Sequence, residues 1–80
     1  MSSPRSRNRA YKDITLQQLR SFCELARQGT LVGAARALRL AHPTVWKQVH
    51  ALEKTLQVTL VETHSRGSRL TPAGQVLLKL

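Results

Sequence analysis

The nine residues from His42 to His50 concentrate side chains able to bind a ligand: imidazole, hydroxyl, indole and ammonium groups. The candidates are His42, Pro43, Thr44, Trp46, Lys47 and His50. Groups of these types bind phosphate oxygens and the edges of bases in duplex DNA. Lys47 is the best candidate for a phosphate contact, and its alternative is an ordinary solvated lysine. The stretch therefore predicts a surface that binds a polyanion.

Several roles stay open within this stretch. His42 and His50 can contact bases or phosphates, and binding would then depend on pH because histidine changes charge near neutrality. The alternative is that both are exposed histidines with no role. Pro43 suits the start of a helix, and its ring can also touch a thymine methyl group. Thr44 can reach a phosphate or a base through its hydroxyl.

The sequence argues against an enzyme and against a metal site. Its three histidines and its one cysteine, Cys23, are spaced unlike any metal-binding motif. Its four acidic residues form no pair suited to acid–base catalysis. We therefore expect no cofactor in this chain.

Two helices joined by a tight turn are predicted to position the candidate residues. The first runs from Leu31 to Arg39, with Thr30 as its cap, and the second begins near Pro43 and extends to Leu56. The small residues Ala34 and Ala35 allow another helix to approach closely. This arrangement is typical of a helix-turn-helix.

The second helix has one apolar face and one polar face. The apolar positions are Val45, Val49, Leu52 and Leu56, which recur on a narrow arc of the helix. The opposite side carries Pro43, Lys47, His50 and Lys54. Trp46 falls at the border, where it can line the edge of a DNA groove or pack on the core. A helix with this outward face fits the major groove of DNA.

A further helix is predicted before the pair and begins after Thr15. Thr15 and Gln18 form a capping-box pattern, and Gly29 suits the residue that ends the helix. The apolar positions are Leu16, Leu19, Phe22, Cys23 and Ala26. We expect Cys23 to be a small buried residue on this face.

A hairpin is predicted after the helix-turn-helix. The β-branched stretch from Val58 to Thr63 reads as a strand, 64–68 as the turn, and Arg69 with Leu70 as the returning strand. Such a hairpin is a wing. Arg66 and Arg69 are candidates for contacts with phosphates or with a minor groove.

The last segment, 71–80, restarts a helix at Thr71 and Pro72. Its apolar stripe comprises Ala73, Val76, Leu77 and Leu80. Because the apolar pattern continues to the last residue, we expect the natural protein to extend beyond this chain. The alternative is a short protein whose last helix packs on its own body.

Composition agrees with a basic cytoplasmic domain. Thirteen Lys and Arg against four Asp and Glu give 80 residues a formal charge of +9, which favours polyanionic partners. The basic segment 1–13 is predicted to be a disordered tail, either a solvated extension or an arm that touches DNA. A single cysteine agrees with a reducing compartment, and no apolar run approaches a membrane span.

From Ile14 to Leu80 the sequence resembles the DNA-binding domain of LysR-type transcriptional regulators. The matching residues are Leu19, Phe22, Gly29, Thr30, Ala34, Ala35, Leu38, Pro43, Val45, Gln48, Val49, Leu52, Glu53, Leu56, Arg69, Leu70, Thr71 and Gly74. The resemblance implies a mainly α fold with a small β-hairpin. Segment 14–70 would be a winged helix-turn-helix, and 71–80 would start a linker helix that forms a homodimer through Val76, Leu77 and Leu80. It also implies a C-terminal effector-binding domain for a small molecule, absent from this chain.

The sequence departs from the family pattern near the predicted DNA contacts. Ala41 stands where a serine or threonine cap is usual, and Trp46 where serine is usual. His42 and Lys47 replace the common glutamine and arginine, and Gln57 replaces a glycine. Val61 and Thr63 replace the usual phenylalanine and arginine. These departures bear on base preference and affinity and leave the predicted fold unchanged.

The leading hypothesis is a sequence-specific DNA-binding domain in transcriptional control. The recognition helix, about 42–56, would lie in the major groove, and the wing, 64–69, on the minor groove or backbone. The alternative is a winged-helix module for protein–protein contact, against which the basic outward face and the wing arginines argue.

Overall fold

The computed structural model describes residues 13–80, which form four helices and a short hairpin. In chain order the elements are α1 (Leu16–Gln28), α2 (Leu31–Leu38), α3 (His42–Leu56), β1 (Val61–His64), β2 (Gly67–Leu70) and α4 (Pro72–Lys79). The predicted mainly α fold with a small β-hairpin is confirmed. The tail predicted for 1–13 lies outside the described residues, apart from Asp13.

Helix α1 begins and ends as its sequence predicts. The Thr15 hydroxyl accepts the Gln18 N–H at 3.1 Å, and the Gln18 side chain accepts the Thr15 N–H at 3.1 Å. This capping box satisfies two backbone donors at the start of the helix. At the other end Gly29 has a φ of 77°, and its N–H donates to the Leu25 carbonyl. Glycine takes this left-handed conformation without steric cost.

The helix-turn-helix has slightly different limits from those predicted. Helix α2 starts after Thr30, whose hydroxyl accepts the Gly33 N–H, and it ends at Leu38. Arg39, predicted as helical, is left-handed at φ 58° and donates back to the last turn of α2. Helix α3 spans His42–Leu56, which confirms the bounds of about 42–56 predicted for the recognition helix. The turn is therefore Arg39, Leu40 and Ala41.

The core lies where α1, α2 and α3 meet the root of the hairpin. Its buried apolar residues are Phe22, Leu25, Ala34, Ala35, Val45, Val49, Leu52, Leu60 and Val61. Leu56, predicted as a core residue, is 37% exposed in the last turn of α3. The other three predicted core positions of α3 are fully buried.

The prediction that Cys23 is buried is wrong, because this side chain is exposed. Phe22 and Leu25 set the buried face of α1, together with Ser21. At about 100° per residue, Cys23 lies about 160° from Leu25 around the helix. Leu16 is also exposed, at 72%. The apolar residues of α1 therefore extend around more of the helix than the face that α2 and α3 cover.

The hairpin is shorter at its root and longer at its tip than predicted. Strand β1 starts at Val61, not Val58, and it includes His64, while β2 starts at Gly67. Val61 pairs with Leu70 and His64 with Gly67 in antiparallel register. The two-residue tip is therefore Ser65 and Arg66.

Two contacts fix α4 against the hairpin root. The Thr71 hydroxyl accepts the Gly74 N–H and donates to the Thr59 carbonyl at 2.6 Å. Gly74 packs so closely that a Cβ atom there would lie 2.2 Å from the Leu60 carbonyl oxygen.

No helix in the part of the chain described here is long and apolar enough to cross a membrane.

Candidate nucleic-acid interface

The outward face of α3 presents the residues predicted to contact DNA. Val45 and Val49 anchor the opposite face in the core with no exposure to solvent. As a consequence His42, Pro43 and Lys47 are exposed, and Thr44 is half-buried. These four residues lie in the first two turns, which is the part of a recognition helix that usually approaches base edges.

The start of α3 differs from the starts of the other helices. Ala41 is the N-cap residue and makes no side-chain hydrogen bond, and Pro43 occupies the first turn. Proline has no N–H group to satisfy there. The positive end of the helix dipole lies at this terminus, which also favours a phosphate group nearby.

Trp46 packs on both the core and the outward face. It is half-buried, and it lies against the apolar core. Its ring meets that of His50 edge-on, with the centroids 4.3 Å apart and an interplanar angle of 72°. Of the two alternatives for Trp46, packing on the core is observed, and contact with the edge of a DNA groove stays a prediction.

A cleft of about 590 Å³ separates α3 from the wing. Trp46, His50 and Glu53 line it from α3, and His64 and Arg69 line it from the wing. The cleft shows that the stripe of α3 running from Trp46 to Glu53 and the hairpin open onto a common surface. His50 Nδ1 lies 3.9 Å from Glu53 Oε1, an ion pair when the imidazole is protonated.

The wing tip exposes arginine. Arg66 is one of two residues in the turn, and Arg69 on β2 is also exposed. The Arg66 N–H donates to His64 Nδ1 at 3.3 Å, which helps to close the turn. Behind the tip, the Ser68 N–H donates to the Gly29 carbonyl at 3.0 Å and ties the wing to the end of α1.

Comparison with known proteins identifies the family that shares this arrangement of helices and wing. The sequence model for bacterial regulatory helix-turn-helix proteins of the lysR family matches residues 16–75. The chain belongs to the LysR family. It is 46% identical over 66 residues to the HTH-type transcriptional regulator TfdS of Cupriavidus pinatubonensis, covering 82% of this chain and 22% of that protein.

Solved structures of LysR-family DNA-binding domains share the fold. The CbnR_DBD-DNA complex gives a TM-score of 0.79 at 37% identity, over 81% of this chain and 75% of that one. The complex of BenM_DBD with benA site 1 DNA gives 0.77 at 31% identity, over 81% and 73%. The chain described here is a LysR-type DNA-binding domain with a winged helix-turn-helix. It spans about a fifth of the length of the curated relatives that it matches.

Two of the departures from the LysR pattern now have a structural meaning. Ala41 occupies a true N-cap position, so the missing hydroxyl leaves α3 without a side-chain cap. Gln57 is left-handed at φ 57°, in the conformation for which glycine is the usual residue. Both departures therefore concern the two ends of α3.

Sequence reasoning missed the polar contacts that hold α3 in place. The Glu53 carboxylate accepts the backbone N–H groups of Leu60 and Val61. The buried Ser21 hydroxyl donates to Gln48 Oε1, and Gln17 Nε2 lies 3.4 Å from the same oxygen. A serine on the same helical face as Leu25 was the available signal for the second contact. For Glu53 the signal was an acid beside a basic helix face.

The residues predicted for dimerisation are not equivalent. Val76 and Leu80 are exposed, at 62% and 95%, whereas Leu77 is partly buried against the core of its own domain. Their role in dimerisation stays a prediction.

Proposed function

We propose that this LysR-family domain recognises specific sequences in duplex DNA, with the first turns of α3 in the major groove. The wing, 64–69, would lie on the adjacent minor groove or its backbone. The observation that carries this proposal is the common surface formed by α3 and the hairpin across the Trp46–Arg69 cleft. A groove-reading helix and a wing can engage one duplex together only if they open on the same side.

The charges of this surface support the proposal. Lys47 on α3 and Arg66 and Arg69 on the wing are exposed, within a chain of formal charge +9. Lysine and arginine bind phosphates and displace counterions, which gives affinity without sequence preference. His42, Pro43 and Thr44 would then supply sequence preference at base edges. The solved DNA complexes of CbnR and BenM are the related cases.

The remaining parts of the proposal concern the longer protein. The exposed Val76 and Leu80 support a homodimer formed through an extended α4. A small-molecule effector would bind a C-terminal domain that this chain does not include. The domain itself would need no cofactor and catalyse no reaction, and transcriptional control would place it in the cytoplasm.

Selection from randomised duplex DNA at about 0.15 M salt tests the proposal, because non-specific contacts are substantially screened at this ionic strength. Enrichment of one short motif supports specific reading. An interrupted inverted repeat supports a dimer as well, and a single half-site supports reading by a monomer.

No enrichment, with binding that vanishes as salt rises, would contradict specific recognition. Binding to a protein partner with weak salt dependence would instead favour a protein–protein module. A matched selection with Lys79→Ala, which removes an exposed charge from α4, should return the same motif as the parent chain.

A further inference from the structure

Glu53 joins the recognition helix to the root of the wing. One carboxylate oxygen, Oε2, accepts the Leu60 N–H at 2.8 Å and the Val61 N–H at 3.2 Å. The other oxygen lies 3.9 Å from His50 Nδ1. Hydrogen bonds from backbone N–H groups to a carboxylate are stronger than those between neutral groups. The helix and the first residues of the hairpin are therefore linked through one side chain.

The location of the two N–H groups gives this link its importance. They belong to the segment that enters β1, where the chain leaves α3 through the left-handed Gln57 and turns toward the hairpin. Thr71 N–H donates to the Leu60 carbonyl, so the same peptide segment also faces β2 and α4. Glu53 thus holds the root of the wing on α3, while the Ser68 bond to the Gly29 carbonyl holds the other strand on the end of α1.

An acid at this position opposes the net charge of the surface. The chain has four acidic residues, and both Glu53 and Glu62 line the cleft between α3 and the wing. A negative charge there repels DNA phosphates and lowers affinity for a polyanion. Glu62 is an exposed residue of β1, whereas the Glu53 side chain is only 15% exposed and bonds the backbone.

We propose that Glu53 is a positioning residue that sets the distance and angle of the wing relative to α3. This inference rests on the proposed function, in which α3 and the wing bind the same duplex. Glu53 itself would touch no DNA. It would allow Arg66 to reach the minor groove while Lys47 and its neighbours occupy the major groove.

A pair of substitutions separates positioning from charge. Glu53→Met and Glu53→Gln both remove the negative charge, and both keep the length of the side chain. Glutamine retains an oxygen that can accept the Leu60 and Val61 N–H groups, whereas methionine leaves them without this acceptor. Glu62→Gln is the matched control, because it removes a charge from the same cleft without breaking the link to the wing root.

The measurement is a double-mutant cycle with Arg66→Ala, on a selected site with A·T-rich flanks. Arg66→Ala should weaken binding roughly tenfold in the parent, in E53Q and in E62Q, because a narrow minor groove attracts arginine. In E53M the affinity should already be lower, and Arg66→Ala should cost less than about twofold more. The base preference read by α3 should be the same in all four backgrounds.

Hydrogen exchange without DNA gives an independent measurement. In E53M the amides of Leu60, Val61 and β2 should exchange faster, while those of α1 to α3 keep their protection. Faster exchange throughout the domain would overturn the inference, because Glu53 would then support the whole fold.

The binding outcomes distinguish the inference from the proposed function. A tenfold effect of Arg66→Ala that persists in E53M would overturn the positioning role alone. Equal changes of affinity in E53Q and E53M would assign Glu53 an electrostatic effect and would also overturn it. A parent chain insensitive to Arg66→Ala would refute the wing contact in the proposed function, and the inference with it.

Discussion

Helices α1 and α3 pack against each other but are stabilised in different ways. Helix α1 begins with the Thr15 capping box and ends at Gly29, so each terminus has a residue suited to its backbone. Helix α3 begins at Ala41, which has no side-chain acceptor, and ends at Gln57 in a left-handed conformation. Both helices bury apolar side chains, Phe22 and Leu25 on α1 and Val45, Val49 and Leu52 on α3, so packing is the stabilisation that α3 retains.

The comparison indicates that α3, the helix that would read DNA, is stabilised by tertiary packing and not by the residues at its ends. Caps contribute about 1 kcal/mol each, whereas a buried leucine contributes several times as much. An α3 anchored through its buried face can carry unusual residues at its ends and on its outward side. This separation explains how the departures from the family pattern coexist with the family fold.

Among the substitutions that test this comparison, Leu52→Ala should have the largest effect on stability. This change should lower the free energy of unfolding by about 2–5 kcal/mol, because it leaves a cavity beneath α3. Thermal or urea unfolding measures the effect. Leu16→Ala on α1 is the matched control, since Leu16 is 72% exposed, and it should change stability by less than about 0.5 kcal/mol. Similar losses for both variants would contradict the dominance of the buried face.

Ala41→Ser should increase the free energy of unfolding by about 1 kcal/mol. Ala41 already has φ −69° and ψ 149°, close to the φ −73° and ψ 169° of the capping residue Thr71. A serine hydroxyl could therefore accept an N–H of the first turn without a backbone change. Thr15→Ala is the reverse experiment on α1 and should cost a similar amount. No gain from the serine would mean that the terminus of α3 is already satisfied in solution.

Gln57→Gly should give a smaller gain, about 0.5–1 kcal/mol. Glycine relieves roughly 1–2 kcal/mol of left-handed strain. It also makes the unfolded chain more flexible, which lowers the free energy of unfolding by about 0.5–1 kcal/mol. Gln57→Ala is the control, because alanine retains the strain, and it should show no gain. A glycine variant less stable than the parent would mean that the Gln57 side chain compensates for its backbone.

Local signals made much of this fold predictable from the sequence. The Thr15 and Gln18 pattern predicted the start of α1, Gly29 its end, and Thr71 with Pro72 the start of α4. Each of these residues acts through its own backbone conformation or its immediate neighbours. The exposed face of α3 was predicted equally well, because the spacing of Val45, Val49 and Leu52 fixes which side is buried.

The features that the sequence did not predict depend on contacts between segments far apart in the chain. The stretch from Val58 to Leu60 has β-branched and apolar residues, yet Leu60 donates its N–H to Glu53 before any strand begins. Cys23 continued an apolar pattern, but nothing in its neighbours told how wide a face α2 and α3 would cover. The cleft at the interface depends on the angle of the wing, which no local pattern encodes.

Lys47→Ala tests the outward side of α3 and should leave the unfolding free energy almost unchanged, since Lys47 is exposed. If Lys47 binds a phosphate, affinity should fall similarly for all sequences, and the slope of log K against log salt should flatten by about one unit. Lys79→Ala, with the same charge change on α4, should leave the slope unaltered. A change in the preferred sequence would instead assign Lys47 to a base. Helix α3 would then read DNA in its second turn, and the binding selectivity of the domain would depend on a lysine at a position where arginine is usual in the family.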